Sequence, residues 1–101
     1  MSSYPIKMAR EALMIIDANL GEKVMQWQSL PSERSDMKAV SGACEGMTVM
    51  VIQATYPDGH VEHMATATLD NLMVKLPEPM AVKAWRIAEH DINDNTQTRC
   101  E

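Results

Sequence analysis

The stretch MTVMVIQATYPDGHVEHMATATLDNLMVKL, residues 47–76, decides the fold. It is rich in Thr, Val and Ile, which β-strands favour. The tetrapeptide YPDG at 56–59 has Pro in its second position and Gly in its fourth. That order favours a type I turn followed by a left-handed glycine bulge. The stretch therefore predicts a β-hairpin with strands at about 47–56 and 60–69.

The turn also sets the register, because a bulge at its fourth residue places Tyr56 opposite His60 and fixes every later pair. Asp70 and Asn71 tolerate positive φ and predict a second, two-residue turn into a third strand at about 72–76. Two turns placed independently would not gather the apolar residues on one face unless the register were right. That face collects Met47, Val49, Val51, Val61, Ala65, Ala67, Leu69, Leu72, Val74 and Leu76.

Helical periodicity flanks this three-stranded antiparallel meander on both sides. The first helix is predicted over about residues 5–20 and the last over about 79–92. Their buried faces are expected to consist of Ile6, Ala9, Leu13, Ile16 and Leu20 in the first, and Ala81, Ala84, Trp85, Ala88 and Ile92 in the last. The alanines of the middle strand are expected to let a helix pack close against the sheet.

The residues between the first helix and the meander are predicted to form two short helical segments. The first follows a break at Gly21 and ends before Pro31. Because Val24 and Trp27 continue the apolar stripe of the first helix, a first helix that runs through Gly21 towards Leu30 is the alternative. The second covers residues 35–45, SDMKAVSGACE, with Met37, Val40 and Cys44 on one face. Ser32 or Ser35 can cap it, and Gly46 ends it.

The fold class predicted from these elements is a two-layer α+β domain, with both helices on one face of the sheet. It is expected to be a single domain over residues 1–92, followed by a disordered acidic tail at 93–101.

Charge and composition limit the kinds of partner that the protein is expected to bind. The net charge is −5, and no Lys or Arg occurs between Lys38 and Lys75. Nucleic-acid binding needs clustered cations, so direct contact with nucleic acid is not expected. No apolar run approaches the length of about 18 residues that a membrane span needs. The first residues lack the pattern of a secretory signal, which predicts a cytoplasmic protein whose two cysteines, Cys44 and Cys100, are reduced.

The sequence HVEH at 60–63 is the first candidate for a catalytic or metal site. Side chains of a strand alternate between faces, so His60 and Glu62 are expected on one face and His63 on the other. A zinc site would need further Cys or His ligands at suitable spacing. The sequence therefore predicts neither a metal site nor a cofactor, and His63 opposite Gln53 is expected at the edge of the core.

GACEG at 42–46 is the second candidate, because it resembles a nucleophile elbow with Cys44 as the nucleophile. The elbow needs a strand that leads into a helix, whereas a helix leading into a strand is predicted around Cys44. A buried, inert thiol is the simpler interpretation. A small enzyme that uses Cys44 or His63 is kept as an alternative function.

The second face of the predicted meander carries Met50, Ile52, Met64 and Met73 close together, although a solvent-facing sheet surface is usually polar. Contiguous exposed apolar area marks an interaction surface. Three alternatives remain open at this point. Residues 22–44 cover this face as a second core, or the face forms a homodimer, or it binds a different protein.

The leading hypothesis is a small, soluble, acidic interaction module of the kind common on mobile genetic elements, an adaptor or inhibitor that docks on a larger protein. Its acidic groups would steer it towards a basic surface. The residues predicted to contact the partner are Met50, Ile52, Tyr56, Glu62, Met64 and Met73. A homo-oligomeric structural or regulatory protein is the second hypothesis.

Overall fold

The computed structural model describes residues 3–22, 25–44 and 46–94. Its elements in chain order are α1 (Ser3–Glu22), β1 (Gln26–Leu30), β2 (Met37–Cys44), β3 (Met47–Thr55), β4 (Val61–Leu69), β5 (Leu72–Lys75) and α2 (Glu78–Asp94). The strands form one antiparallel sheet in the order β1-β2-β3-β4-β5. Helix α2 packs across β1 to β4, and α1 packs beside it against β4 and β5. The α+β class is confirmed, with five strands in place of the predicted three.

The hairpin predicted from YPDG is confirmed along its whole length. The Gly59 N–H donates to the Tyr56 carbonyl at 2.8 Å, and Gly59 has a φ of 92°. This is a type I turn closed by a left-handed glycine. The Tyr56 N–H donates to the His60 carbonyl at 2.9 Å, and the predicted register holds along all of β3 and β4.

The second turn is confirmed as well. Asp70 and Asn71 have φ values of 49° and 68°, the left-handed pair of a type I′ turn. Strand β5 ends at Lys75, one residue earlier than predicted. The Leu76 N–H still donates to the Ala65 carbonyl at 2.9 Å, as the predicted pairing requires.

The helix predicted over residues 35–45 is wrong, because this segment forms β2. Val40 and Cys44 are four residues apart, a spacing that lies on one face of a helix and also on one face of a strand. Both side chains are buried, as either pattern requires. The β-branched Val40 and the helix-weakening Gly42 agree with the strand.

The short helical segment predicted through Trp27 is also wrong, because it forms β1. Helix α1 ends at Glu22, two residues beyond the predicted end, and does not continue towards Leu30. Trp27 lies opposite Gly42 on β2 and is only 1% exposed. The contact between Trp27 and Gly42, which are distant in sequence, stabilises this strand. The local helical spacing did not indicate this contact.

The core lies between the helices and one face of the sheet, which we call the inner face. Small residues meet small residues where α2 crosses β4, since Ala65 and Ala67 of the strand and Ala81, Ala84 and Ala88 of the helix are all buried. The expectation that these alanines admit a close helix is thereby confirmed.

The predicted buried faces are otherwise nearly right. Ile16 and Leu20 of α1 are buried, and Leu13 and Ile92 are partly buried; the side chains of Ile6 and Ala9 lie outside the described ones. Val61 was predicted to face the core but is 44% exposed at the hairpin end.

The C-terminal boundary differs from the predicted one. Helix α2 extends through Asp94, so residues 93 and 94 are helical rather than part of a tail. The rest of the predicted tail lies outside the described residues. No helix within the described ranges is long and apolar enough to cross a membrane.

Candidate protein-binding face

The face of the sheet turned away from both helices is called the outer face. Strand register assigns to it Gln26, Gln28, Leu30, Met37, Ala39, Ser41, Ala43, Thr48, Met50, Ile52, Ala54, Glu62, Met64, Thr66, Thr68, Met73 and Lys75. The hypothesis that residues 22–44 fold over this face is wrong, because β1 and β2 lie within the sheet itself. They widen the face instead of covering it.

An apolar patch occupies the middle of the outer face. Ala39, Ile52 and Met64 lie side by side on β2, β3 and β4, and Met50 follows two residues from Ile52 along β3. We call these four residues the apolar patch. Met50 is 42% exposed and Met64 is 45% exposed. Two flexible thioether side chains therefore stand in solvent beside a half-buried isoleucine.

Three of the predicted contact residues, Met50, Ile52 and Met64, are brought together in this patch. Met73 is not part of it. It lies on β5 opposite Thr68, two strands away from Met50, and is 72% exposed.

A small pocket opens at the edge of the patch that is nearest to β5. Its volume is about 230 Å³, and its lining includes Met50, Ile52, Met64, Thr66 and Lys75. Lys75 reaches it from β5, where it pairs with Thr66. The methionines and isoleucine make the pocket apolar, and Lys75 supplies its charged group.

The hairpin tip borders the opposite end of the patch and holds the other two predicted contact residues, Tyr56 and Glu62. The Tyr56 hydroxyl donates to Glu62 Oε1 at 2.8 Å. The Tyr56 and His60 rings stack with centroids 4.5 Å apart and planes within 8°. His60 Nε2 lies 3.2 Å from Glu62 Oε2, and His60 Nδ1 lies 3.0 Å from Asp58 Oδ1. We call these four residues the tip cluster.

Both ring nitrogens of His60 thus face carboxylate oxygens. A neutral imidazole has one donor and one acceptor nitrogen, so only the protonated ring can donate to both carboxylates. The pKa of His60 is accordingly raised, chiefly by the hydrogen bond to Glu62 and then by that to Asp58. All of these side chains are exposed to solvent, so the cluster changes local charge more than it changes stability.

The partners of His60 shift in the complementary direction. The pKa of Glu62 is lowered, first by the Tyr56 hydroxyl and then by His60. The backbone N–H of His60 is the main cause of a lowered pKa at Asp58. Glu62 in turn raises the pKa of Tyr56. At neutral pH the tip cluster therefore presents two carboxylates, which are partly compensated when His60 is protonated.

His63 points to the inner face, away from His60 and Glu62, as predicted from strand alternation. Its Nε2 lies 3.2 Å from the Gln53 amide nitrogen, and its ring centroid lies 5.6 Å from that of Trp85. These contacts give His63 a packing role at the edge of the core. Among the described residues, no three His, Cys, Asp or Glu side chains are arranged so that they could hold a metal ion.

Cys44, the other residue considered for catalysis, is buried at the end of β2 and is disulfide-bonded. This contradicts the expectation of a reduced thiol at this position. In this state the sulfur has no thiolate form with which to attack a substrate. Cys100 lies outside the described residues.

Comparison with models of known protein families, with curated proteins and with solved structures gives no match. The function is therefore inferred from the outer face itself.

Proposed function

We propose that this protein is a small acidic interaction module, an adaptor or inhibitor that docks on a larger protein through the apolar patch. One observation carries the proposal: in the described structure, the helices cover only one face of the sheet, and the other face exposes Met50 and Met64 around Ile52. Exposed apolar area of this kind is characteristic of a binding surface.

The patch has the chemistry of an adaptable contact. Methionine side chains are flexible and polarizable, so they can fit the contours of a partner. Complete burial of a Met or Ile side chain contributes about 1.5–3 kcal/mol. A few such residues at the centre of an interface can supply most of its binding energy, while polar neighbours exclude water.

Charge supports a partner with a basic surface. The chain carries a net charge of −5, and the tip cluster places Asp58 and Glu62 at one end of the patch. Complementary charge at the rim of an interface speeds association and fixes orientation. A basic partner surface beside the hairpin tip would satisfy both carboxylates.

Self-association is the second candidate, and the distribution of charge on the outer face favours it. Lys75 pairs with Thr66, and Glu62 lies four residues from Thr66 along β4, so opposite charges stand towards opposite ends of the patch. A two-fold axis in the plane of the interface would bring each Lys75 towards the Glu62 of a second copy. Such an isologous contact is the commonest way in which homodimers form.

The test is a double substitution, Met50→Asp with Met64→Asp, compared with Met73→Asp, which adds one charge outside the patch. We expect the double variant to keep the circular dichroism spectrum of the unmodified protein and to lose partner capture, whereas Met73→Asp keeps both. Unfolding of the double variant would show that the patch belongs to the core. If the double variant is folded and captures the partner as well as the unmodified protein does, docking through the patch is refuted.

Size measurement in solution separates the two candidates. A dimer that the double substitution converts into a monomer supports self-association, and a monomeric unmodified protein supports a different partner. Light scattering coupled to gel filtration gives the mass directly.

The enzyme alternative and the cellular compartment are tested together through Cys44. Disulfides persist in oxidising compartments and are rare in the cytoplasm, so a Cys44 that is still bonded in a lysate quenched with maleimide would count against the proposed cytoplasmic location. After chemical reduction, a thiol at Cys44 that reacts much faster than an ordinary one would favour catalysis. Slow labelling is expected, because Cys44 is buried.

A further inference from the structure

The pocket beside Lys75 indicates which chemical groups of a partner the outer face could bind. The inference rests on the proposed function, because it names the part of the partner that the apolar patch would hold. We propose that this pocket is the anchor site of the patch and takes an apolar side chain that is flanked by a carboxylate on the partner protein.

The size of the pocket fits a side chain. Pockets for cofactors and drug-sized ligands have volumes of about 300–1,000 Å³, whereas this one has about 230 Å³. Anchor residues of protein interfaces are apolar or aromatic groups that fill small pockets on the partner. Met50, Ile52 and Met64 surround the opening, so an aliphatic group inserted there meets hydrocarbon and sulfur.

Lys75 determines which charged group of the partner fits beside the inserted apolar side chain. It is the only Lys or Arg assigned to the outer face by the strand register. It also takes part in none of the ion pairs found among the described residues. By comparison, Lys83 lies 3.2 Å from Asp17. An unpaired ammonium beside an apolar pocket complements a carboxylate beside an apolar side chain.

This local preference is compatible with a basic surface elsewhere on the partner. Lys75 pairs with Thr66, whereas Glu62 lies four residues earlier on β4, next to the hairpin tip. A partner would therefore place an acid near Lys75 and bases near Asp58 and Glu62. This arrangement fixes the orientation of docking as well as its location.

The experiment uses two small probes and methionine methyl NMR on the full chain. N-acetylleucine carries the apolar side chain and a carboxylate, and N-acetylleucinamide has the same side chain without the charge. We expect N-acetylleucine to shift the methyl signals of Met50 and Met64 more strongly than N-acetylleucinamide does. The exposed Met73 outside the pocket and the buried Met47 serve as internal controls.

Substitution of Lys75 then tests the charge. We expect Lys75→Gln to weaken N-acetylleucine binding by about two- to fivefold, the effect of an exposed ion pair, and to leave N-acetylleucinamide unchanged. Lys75→Arg should keep the difference between the probes. The inference is overturned if both probes shift the signals equally, if Met73 shifts as much as Met50 and Met64, or if neither probe causes a shift.

These outcomes are distinguishable from a failure of the proposed function. One outcome refutes only the anchor pocket: the unmodified protein captures a partner, the double variant Met50→Asp with Met64→Asp does not, and neither probe shifts the methyl signals. Probe binding that depends on Lys75, together with capture that the double variant retains, refutes docking through the patch and leaves the pocket standing.

Discussion

Gly42 is the position at which a single added methyl group tests the packing of the sheet most directly. Gly42 lies on the inner face of β2 opposite Trp27. A Cβ atom at this position would lie 2.7 Å from Trp27 Cε3 and 2.8 Å from both Cδ2 and Cζ3. These distances are well inside van der Waals contact. The ring has no room to move outwards, since Trp27 is only 1% exposed and packed in the core.

The expected cost of Gly42→Ala follows from two opposing effects. Overpacking of a well-packed core costs about 1–3 kcal/mol. Replacement of Gly by Ala also reduces the conformational freedom of the unfolded chain, which stabilises the fold by about 0.4–1 kcal/mol. We therefore expect Gly42→Ala to lower the free energy of unfolding by about 1–2 kcal/mol. For a domain of this size, each kcal/mol lowers Tm by about 4–8 °C.

Urea unfolding and thermal circular dichroism measure this loss. Ser41→Ala is the matched control, because it lies next to Gly42 on the outer face and is expected to change stability by less than about 0.5 kcal/mol. In a Trp27→Leu background the clash is removed, so Gly42→Ala should be neutral or stabilising there, with Trp85 as the fluorescent reporter. An equal loss in both backgrounds, or no loss in either, would refute the argument that Gly42 is required by the Trp27 ring.

Two further predictions concern the turns. The pKa of His60, followed by NMR, should lie above that of an ordinary histidine and fall in Glu62→Gln. Because the folded pKa of His60 is raised, the stabilisation that protonated His60 contributes is complete below its unfolded pKa of about 6.5 and is lost as the pH rises through the folded value; a pKa unaffected by Glu62→Gln would contradict this. At the second turn, Asn71→Val should lower stability by about 1–2 kcal/mol, because a β-branched residue is strained at positive φ, whereas Asn71→Gly should not; equal Tm values for the two variants would rule out this explanation.

The sequence predicted β3, β4 and β5 well because short-range chemistry determines their connections. YPDG and Asp70-Asn71 contain the residue types that their turn geometries demand, and the turns fix the register. From the register follows the face of each side chain, so Met50, Ile52 and Met64 could be placed together in advance.

Strands β1 and β2 could not be predicted from local pattern. The four-residue spacing of Val40 and Cys44 fits both periods, and Gly42 suggested only a weak helix. The decisive fact is that the absent side chain of Gly42 makes room for Trp27, which lies fifteen residues earlier in the chain. Prediction of that contact requires the pairing of β1 with β2, which is a tertiary property.

The sequence predicted which residues form the candidate site, but it did not predict whether they are exposed to solvent. Alternation placed Tyr56 and Glu62 on the same face, but their hydrogen bond and the position of His60 between two carboxylates depend on side-chain conformations. Whether the apolar patch is exposed depended on the location of residues 22–44, and the helical prediction for them left that question open.

The composition of the outer face is the strongest reason to treat the patch as functional. Thr48, Thr66 and Thr68 occupy outer-face positions on β3 and β4 that are equivalent to those of Met50 and Met64. Threonine suits a strand at least as well as methionine does, so formation of the sheet does not require apolar residues at 50 and 64. Apolar side chains at the centre of an exposed sheet face match the apolar core of a protein interface. An exposed patch with no partner would only favour aggregation, which supports the proposal that the patch binds a partner.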